Sequence, residues 1–262
     1  MAAVSQGIVL KKRYGQHFLR DQAVVDHMLE AVALTPTTSV FEIGCGDGFL
    51  TKSILQTSIA RLWVFEIDPE WATYVKNHFP DKRMTMFEEN ILDADMSRLE
   101  PHKPWTLLSN LPYQVTFPIL YLLQKNKALL KEGVIMVQEE VAQKLLKTQG
   151  RDYGFSSLFF QHHFEWKMLD KVPPGAFLPP PKVYSRLLYF KPRAMLDTIP
   201  QEEDFWKFVK IAFRQPRRTL RNNLVQSDVD VAKIPDATLA LRAQQMSKED
   251  ILNVWKLINA GT

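Results

Sequence analysis

The chain has 262 residues and a formal net charge of +4, and 46% of its residues are hydrophobic against 24% that are charged. This balance excludes a disordered chain and allows one large domain with a small second one. The single cysteine, Cys45, excludes an intrachain disulfide and a cysteine-rich zinc site, and no apolar run is long enough to span a membrane, so we expect a cytoplasmic protein with no metal and no membrane partner.

An N-terminal arm precedes the first predicted strand and is basic. Before the first acid, Asp21, it carries four cations: Lys11, Lys12, Arg13 and Arg20. Such a run is as common on a solvated surface as on a phosphate-binding face, because phosphate binding also requires the cations to converge in space. Composition alone therefore leaves the function of the arm open.

Between residues 39 and 190, short apolar runs rich in β-branched and aromatic residues alternate with segments of helical length. The alternation predicts strand–helix–strand units around a mostly parallel sheet, which is a Rossmann-like, doubly wound α/β fold. The predicted strands are 39–43, 62–67, 84–88, 105–109, 134–138, 164–169 and 184–190. The predicted covering helices are 49–56, 70–78, 117–123 and 139–147.

A glycine-rich turn follows the first predicted strand, in Glu42-Ile43-Gly44-Cys45-Gly46-Asp47-Gly48. Glycines let the backbone turn sharply and approach a ligand at the carboxyl edge of the sheet. A dinucleotide site would have glycine where Phe49 stands, and the Phe49 ring would crowd a pyrophosphate. The turn favours a nucleoside ligand without phosphates beside Gly44 and Gly46, with a plain strand-to-helix turn as the alternative.

A carboxylate ends the second predicted strand. Glu66 follows Gly44 by about 20 residues, the spacing at which an acid accepts hydrogen bonds from ribose hydroxyls. The glycine turn and the acid together predict a nucleoside site.

The motif Asn110-Leu111-Pro112-Tyr113 follows the fourth predicted strand. It resembles the motif of enzymes that methylate exocyclic amines of nucleobases: Asn or Asp, an apolar residue, Pro and an aromatic. The lone pair of adenine N6 is delocalised into the ring, so two acceptors must hold the N–H bonds and leave the lone pair facing the methyl donor. The predicted acceptors are the Asn110 side-chain oxygen and the Leu111 carbonyl. Pro112 stiffens the turn and Tyr113 offers a face for an extruded base, while an ordinary turn is the alternative.

The character of the chain changes after Pro192, where residues 193–262 predict a small helical domain. Its predicted helices are 202–213, one that starts near Pro216, and 248–258. Residues 205–224 carry six cations and no acid. Arg217, Arg218 and Arg221 follow helical spacing and predict phosphate contacts, with salt bridges to the sheet domain as the alternative.

From about residue 12 to residue 258 the chain resembles the small-subunit ribosomal RNA adenine dimethyltransferases, the kasugamycin-resistance methylase family. The resemblance is carried by residues 14–19 (YGQHFL), the glycine turn, residues 110–113, residues 172–183 (VPPGAFLPPPKV) and residues 213–220 (FRQPRRTL). It implies a class I methyltransferase fold, S-adenosyl-L-methionine as cofactor, and small-subunit ribosomal RNA or the pre-assembled subunit as substrate. It also implies a monomer, with residues 1–192 as the methyltransferase domain and 193–262 as an RNA-binding domain.

The same resemblance implies site residues. The cofactor would contact His17, Leu19, Gly44, Glu66, Asn90 and Asn110. Phe177 would enclose the adenine opposite Tyr113, and Lys11, Lys12 and Arg13 would join the arginines in binding RNA. The family usually has Asn at position 17 and Asp at position 90. The amide oxygen of Asn90 can still accept a hydrogen bond, but it lacks the negative charge with which a carboxylate strengthens that bond. We therefore expect weaker cofactor binding.

The predicted activity is dimethylation of N6 on two adjacent adenines near the 3′ end of small-subunit (16S) ribosomal RNA, as part of ribosome biogenesis. Two other functions stay open. One is an erythromycin-resistance methylase of 23S ribosomal RNA, which shares the sheet domain and the Asn110 motif. The other is a non-catalytic RNA-binding or assembly factor of the same fold.

Overall fold

The computed structural model describes residues 4–11, 14–225 and 227–259. The chain forms two compact units, the first made of Met1–Ala142 and Glu165–Pro192, the second of Gln143–Phe164 and Arg193–Thr262. The predicted single boundary after residue 192 would leave residues 143–164 with the sheet. In the structure this segment belongs to the second unit.

The first unit is built on a seven-stranded sheet. Its strands are β1 Ser39–Ile43, β2 Arg61–Phe65, β3 Met84–Phe87, β4 Trp105–Asn110, β5 Leu130–Gln138, β6 Phe164–Val172 and β7 Ser185–Pro192. The spatial order is β3-β2-β1-β4-β5-β7-β6. Strands β1 to β5 pair in parallel, and β7 runs antiparallel to β5. The predicted doubly wound, mostly parallel sheet is confirmed, and its strand order reverses between β1 and β4.

Four helices of the first unit flank these strands: α1 Gln22–Glu30, α2 Phe49–Leu55, α3 Pro69–His78 and α4 Thr116–Lys125. A fifth, α5 Glu139–Leu146, begins in the first unit and ends in the second. Short 3₁₀ turns lie at Ile91–Asp93, Met96–His102, Tyr113–Val115, Lys127–Leu129 and Pro174–Ala176. Helix α1 was not predicted, although Asp21 caps it by accepting from the Ala23 N–H at 3.0 Å. Capping by a carboxylate and the buried residues Val24, Val25 and Met28 account for its formation.

Two short antiparallel pairs complete the first unit and were also not predicted. Phe18–Leu19 pairs with Phe177–Leu178, and Val4–Ser5 pairs with Ile8–Val9. The first pair holds the N-terminal arm against the proline-rich loop before β7. Strands of two residues carry no alternation that a sequence pattern can reveal.

The second unit contains α6 Phe155–His163, α7 Glu202–Ala212, α8 Leu220–Leu224, α9 Asp236–Leu239 and α10 Lys248–Asn259, with 3₁₀ turns at Val231–Lys233 and Ala243–Gln245. Aromatic rings join α6 to α7, since the centroids of Phe159 and Trp206 lie 5.0 Å apart. This packing explains why the segment that carries α6 belongs to the helical unit. No helix among the described residues has both the length and the hydropathy needed to cross a membrane.

The predicted start of a helix near Pro216 is wrong. Helix α8 begins at Leu220, and Thr219 caps it by accepting from the Asn222 N–H at 3.4 Å. The preceding turn is held by Asn223, whose side chain accepts from the Gln215 N–H at 3.1 Å and donates to the Gln215 carbonyl at 3.2 Å. Arg217 and Arg218 therefore lie in a turn and do not share a helical face with Arg221.

Candidate active site

A cavity of about 320 Å³ lies at the carboxyl ends of β1, β2 and β4. This is the edge where the strand order reverses, the usual ligand position in open α/β sheets. Ten of the predicted site residues line it: His17, Leu19, Gly44, Gly46, Glu66, Asn90, Asn110, Leu111, Pro112 and Tyr113. The sheet thus brings three separate sequence motifs and the N-terminal arm to one place.

The glycine turn after β1 forms the floor of this cavity. Gly44 and Gly46 have φ values of +74° and +52°, in the left-handed region that side chains disfavour. A Cβ on Gly46 would stand 2.7 Å from the Phe18 ring. The Gly44 N–H donates to the Phe65 carbonyl at 2.8 Å, which ties the turn to β2. Glycine is required here by both conformation and space.

Glu66 comes directly after β2 and is buried, with 5% of its surface exposed. Its carboxylate accepts from the Gly46 N–H at 3.1 Å and from the Asp68 N–H at 2.8 Å. Burial raises the pKa of Glu66. A carboxylate has about four acceptor positions, so these two bonds leave capacity for ligand hydroxyls.

Glu42 also lines the cavity, and sequence reasoning gave it no function. It is the charged residue of β1 and is 1% exposed. The Thr51 hydroxyl donates to its carboxylate at 2.7 Å, but burial dominates and raises the pKa of Glu42 to about 8. The sequence feature that could have identified Glu42 is an acid within a strand that is otherwise buried.

Asn110 ends β4 with its amide held by the N-terminal arm. Its Nδ2 donates to the His17 backbone carbonyl at 3.2 Å, so Oδ1 is the atom left to accept from a ligand. The motif is fixed on both sides, because the Leu111 N–H donates to the Met136 carbonyl at 3.1 Å and the Val115 N–H donates to the Pro112 carbonyl at 3.1 Å. The motif forms a rigid turn on the cavity wall.

The aromatic residue of the motif, Tyr113, is held at both ends. Its ring lies 6.1 Å from the His17 ring at an interplanar angle of 24°. Its hydroxyl is 2.5 Å from the Ser185 Oγ at the start of β7. Burial raises the pKa of Tyr113. His17 is itself fixed, since its Nδ1 lies 2.8 Å from the Pro179 carbonyl, and a ring nitrogen this close to a carbonyl donates to it.

Asn90 lies on the cavity wall but its side chain is already bonded within the protein. Its Oδ1 accepts from the Leu92 N–H at 3.2 Å, which caps a 3₁₀ turn, and its Nδ2 donates to Asp93 at 2.8 Å. The amide oxygen that sequence analysis assigned to the cofactor is the capping atom in this structure.

Phe177, which the resemblance places opposite Tyr113, is not among the residues that line the cavity. Phe177 pairs with Leu19, is 3% exposed, and belongs to the hydrophobic core with Leu19 and Val172, whereas the lining of the cavity does not include it. Successive residues of a strand face opposite sides, and here Leu178 is the half-exposed neighbour. Burial of Phe177 therefore serves packing.

The predicted RNA contact of Lys11 is also not what the structure shows. The Lys11 ammonium lies 2.6 Å from the buried carboxylate of Asp68 and 2.5 Å from the exposed carboxylate of Glu70. The hydrogen bond to Asp68 is the main cause of a raised Lys11 pKa. A buried carboxylate requires a partner, so Lys11 neutralises Asp68. Lys12 and Arg13 lie outside the described residues.

The arginines of the second unit fall into two groups. Arg217 and Arg218 are exposed in the turn before α8. Arg221 forms an ion pair with Asp236 of α9. Arg221 thus forms a salt bridge, but its partner lies in its own unit and not in the sheet domain that the alternative named.

The lining of the cavity is rich in carboxyl groups. Its ionisable side chains include the carboxyl groups of Glu42, Asp47, Glu66 and Glu89, and no lysine or arginine is among the described lining residues. Asp47 is paired with Arg20. Glu89 is paired with Arg98, and Glu42, with a pKa of about 8, keeps its proton at neutral pH. The described lining therefore offers no cation that would bind a phosphate, which agrees with a ligand that has none.

Comparison with known proteins agrees with this geometry. The family described as "Ribosomal RNA adenine dimethylase" matches residues 8–260. A ribosomal RNA small subunit methyltransferase A from Syntrophotalea carbinolica is 38% identical over 256 residues, which cover 95% of this chain and 96% of that protein. A protein of the same name from Chlorobium phaeobacteroides is 33% identical over 252 residues, covering 96% and 92%.

Two solved structures share the fold. A dimethyladenosine transferase from Plasmodium falciparum has a TM-score of 0.76 at 19% identity, covering 91% of this chain and 96% of that one. The 23S rRNA methyltransferase ErmE has a TM-score of 0.70 at 23% identity, covering 92% and 99%. With the family match over nearly the whole sequence, the chain belongs to the ribosomal RNA adenine dimethylases.

Proposed function

We propose that this chain transfers methyl groups from S-adenosyl-L-methionine to N6 of two adjacent adenines near the 3′ end of small-subunit (16S) ribosomal RNA. The observation that carries the proposal is the position of Asn110. Its side-chain amide is oriented by the His17 carbonyl and stands on the same cavity as Gly44 and Glu66. The residues proposed to bind the nucleoside and the residue proposed to hold the target amine thus line the same cavity.

The donor set of the cavity fits the proposed cofactor. S-adenosyl-L-methionine is a nucleoside with a positively charged sulfonium, an ammonium group, a carboxylate and no phosphate, and when bound it supplies an electrophilic methyl group. Glu66 has acceptor capacity for its ribose hydroxyls, and the glycine turn allows close approach of the backbone. The described lining holds no lysine or arginine that would repel the cationic groups.

The protein groups at the acceptor side hold the adenine amine. Asn110 Oδ1 and the Leu111 carbonyl accept from the two N–H bonds, which turns the nitrogen lone pair toward the methyl donor. One amine proton is lost for each methyl group gained. The Tyr113 ring gives the extruded base a stacking surface, since the amine cannot be reached within a helix.

The RNA target follows from the relatives. The proteins at 33% and 38% identity are named small subunit methyltransferases, whereas ErmE, named for 23S rRNA, is 23% identical and shares the fold. In the second unit, the exposed Arg217 and Arg218 are the proposed phosphate contacts. Arg221 contributes less because Asp236 competes for it.

The test is incorporation of labelled methyl groups into small ribosomal subunits that lack this modification. The wild-type protein is expected to label two adjacent adenines, and Asn110→Ala is expected to lose activity by about 100-fold or more while still binding RNA. Asn126→Ala is the matched control, because Asn126 bonds the Leu122 carbonyl at the end of α4, away from the cavity lining.

Three outcomes would contradict the proposal. Absence of transfer by the wild type would remove the enzyme assignment. Activity retained by Asn110→Ala would remove the amine-holding function of that side chain. Labelling of protein-free large-subunit RNA, with none of small subunits, would instead indicate an erythromycin-resistance type of methylase.

A further inference from the structure

Two histidines and a glutamate converge in the second unit, which takes no part in the proposed methyl transfer cavity. His162 and His163 end α6, and Glu202 begins α7. One ligand atom from each residue lies within 4.8 Å of the other two. The imidazoles are 1% and 3% exposed, whereas the Glu202 side chain is 42% exposed. We propose that this His162–His163–Glu202 cluster binds a divalent transition metal ion, with Zn²⁺ as the ion to test.

The distances are close to those of a zinc site. The His162 Nε2 lies 3.4 Å from the Glu202 Oε1. Two ligands that each lie about 2.1 Å from a tetrahedral zinc ion are about 3.4 Å apart. One ring nitrogen of His163 lies within 4.8 Å of both atoms, close enough for a side-chain rotation to bring it to the zinc distance. Three protein ligands would leave the fourth position to water.

The ligand types favour zinc and similar ions over calcium or magnesium. Imidazole nitrogens suit Zn²⁺, Ni²⁺ and Co²⁺, while calcium and magnesium prefer sets made only of oxygen. A single carboxylate beside two imidazoles is a set that zinc binds in proteins. The sequence pattern excludes only cysteine-rich sites and predicts no metal, because the two histidines and the glutamate are far apart in the chain.

The surroundings would orient the ligands. The Trp206 indole N–H donates to the Glu202 Oε1 at 3.0 Å, which fixes the carboxylate as an outer partner does in metal sites. Trp206 also packs on the His162 ring, with centroids 5.4 Å apart. Both histidines lie in the last turn of α6, where the helix dipole favours a cation. The exposed part of Glu202 offers a path of entry.

A metal ion here would connect two helices that are distant in the chain. The residues between α6 and α7 include β6 and β7 of the sheet, so the docking of α7 on α6 closes a long loop of the chain, which costs conformational entropy. An ion held by the two histidines of α6 and the glutamate of α7 would stabilise the packing of these helices, because it binds the folded unit and not the unfolded chain.

The experiment titrates the full-length protein, stripped with a chelator, with Zn²⁺ in competition against a chromophoric chelator. One ion per chain is expected to bind. His163→Ala and Glu202→Gln are each expected to lower the affinity by about 10-fold or more. His27→Ala is the matched control, because His27 is an exposed histidine that also contacts a carboxylate, Asp170, at 2.7 Å. Co²⁺ titration should give the visible absorption of a tetrahedral site.

A second measurement keeps the test decisive if a histidine variant fails to fold. Zn²⁺ should raise the melting temperature of the wild type by several degrees, and should do so much less for Glu202→Gln, whose exposed side chain makes misfolding the smaller risk. If the cluster is only a histidine–carboxylate ion pair, the wild type will not bind one Zn²⁺ and its melting temperature will not respond, and the proposal is overturned. Equal zinc affinity in Glu202→Gln and the wild type would overturn it as well.

Discussion

The Tyr113 hydroxyl is hydrogen-bonded to the Ser185 hydroxyl at 2.5 Å, and Ser185 is fully buried at the start of β7. The bond fixes the ring that we propose as the stacking surface for the target adenine. Ser185→Ala is expected to raise the KM for RNA by about 5-fold, since a neutral hydrogen bond contributes roughly 1 kcal/mol. The kcat and the cofactor affinity should change less than the KM. Steady-state kinetics with varied RNA, together with cofactor titration, measure the three quantities.

A double-mutant cycle separates positioning from general loss of packing. Tyr113→Phe removes the same bond, so the double variant with Ser185→Ala should be little worse than either single one. Tyr189→Phe is the control, because Tyr189 donates to Glu132 at 2.9 Å and does not line the cavity. Additive effects of the two single variants would show that the bond does not position the ring.

The sequence predicted the sheet well because its strands are apolar runs at regular intervals, and such runs follow from burial on both faces. It also predicted which motifs meet, since the carboxyl ends of parallel strands share one edge. It could not predict partners that are distant in the chain. The ion pair of Lys11 with Asp68, the capping bond of Asn90 and the burial of Phe177 depend on tertiary contacts that leave no periodic pattern.

Gly46→Ala is expected to impair the cofactor cavity. The substitution combines a positive φ with a Cβ only 2.7 Å from the Phe18 ring, so the ring or the turn must move. We expect a loss of about 2 kcal/mol in the free energy of unfolding and a lower cofactor affinity. Urea denaturation and cofactor titration measure the two effects.

Gly150→Ala provides the comparison for that variant. Gly150 also has a positive φ, +80°, but nothing lies within 4 Å of an added Cβ, so it should show only the conformational cost of about 1 kcal/mol. Adding Phe18→Ala to Gly46→Ala should restore part of the cofactor affinity by removing the clash. Equal destabilisation by the two glycine variants would mean that the contact with Phe18 is unimportant.

The salt dependence of RNA binding distinguishes the arginines of the second unit. Each lost phosphate contact should reduce the slope of log K against log salt by about 0.7 to 0.9. Arg217→Ala and Arg218→Ala are each expected to give this reduction, because both side chains are exposed. Arg221→Ala should give a smaller one because of its ion pair with Asp236. Fluorescence anisotropy over a range of salt concentrations tests this, and a larger effect of Arg221→Ala would contradict the assignment.

Glu42 makes the stability of the fold depend on pH. Burial raises its pKa from 4.5 to about 8, so between these values the folded chain keeps a proton that the unfolded chain has released. The free energy of unfolding should therefore fall as pH rises from about 4.5 to 8, by at most about 1.4 kcal/mol per pH unit from this group, and the loss should level off above pH 8.

Glu42→Gln keeps an acceptor for Thr51 without the charge and should flatten the profile. Some slope should remain, because burial also raises the pKa of Glu66. Urea denaturation between pH 5 and pH 8.5 measures it, with the exposed Glu30→Gln as control. If the free energy of unfolding of Glu42→Gln depends on pH as steeply as that of the wild type, Glu42 does not take up a proton on folding.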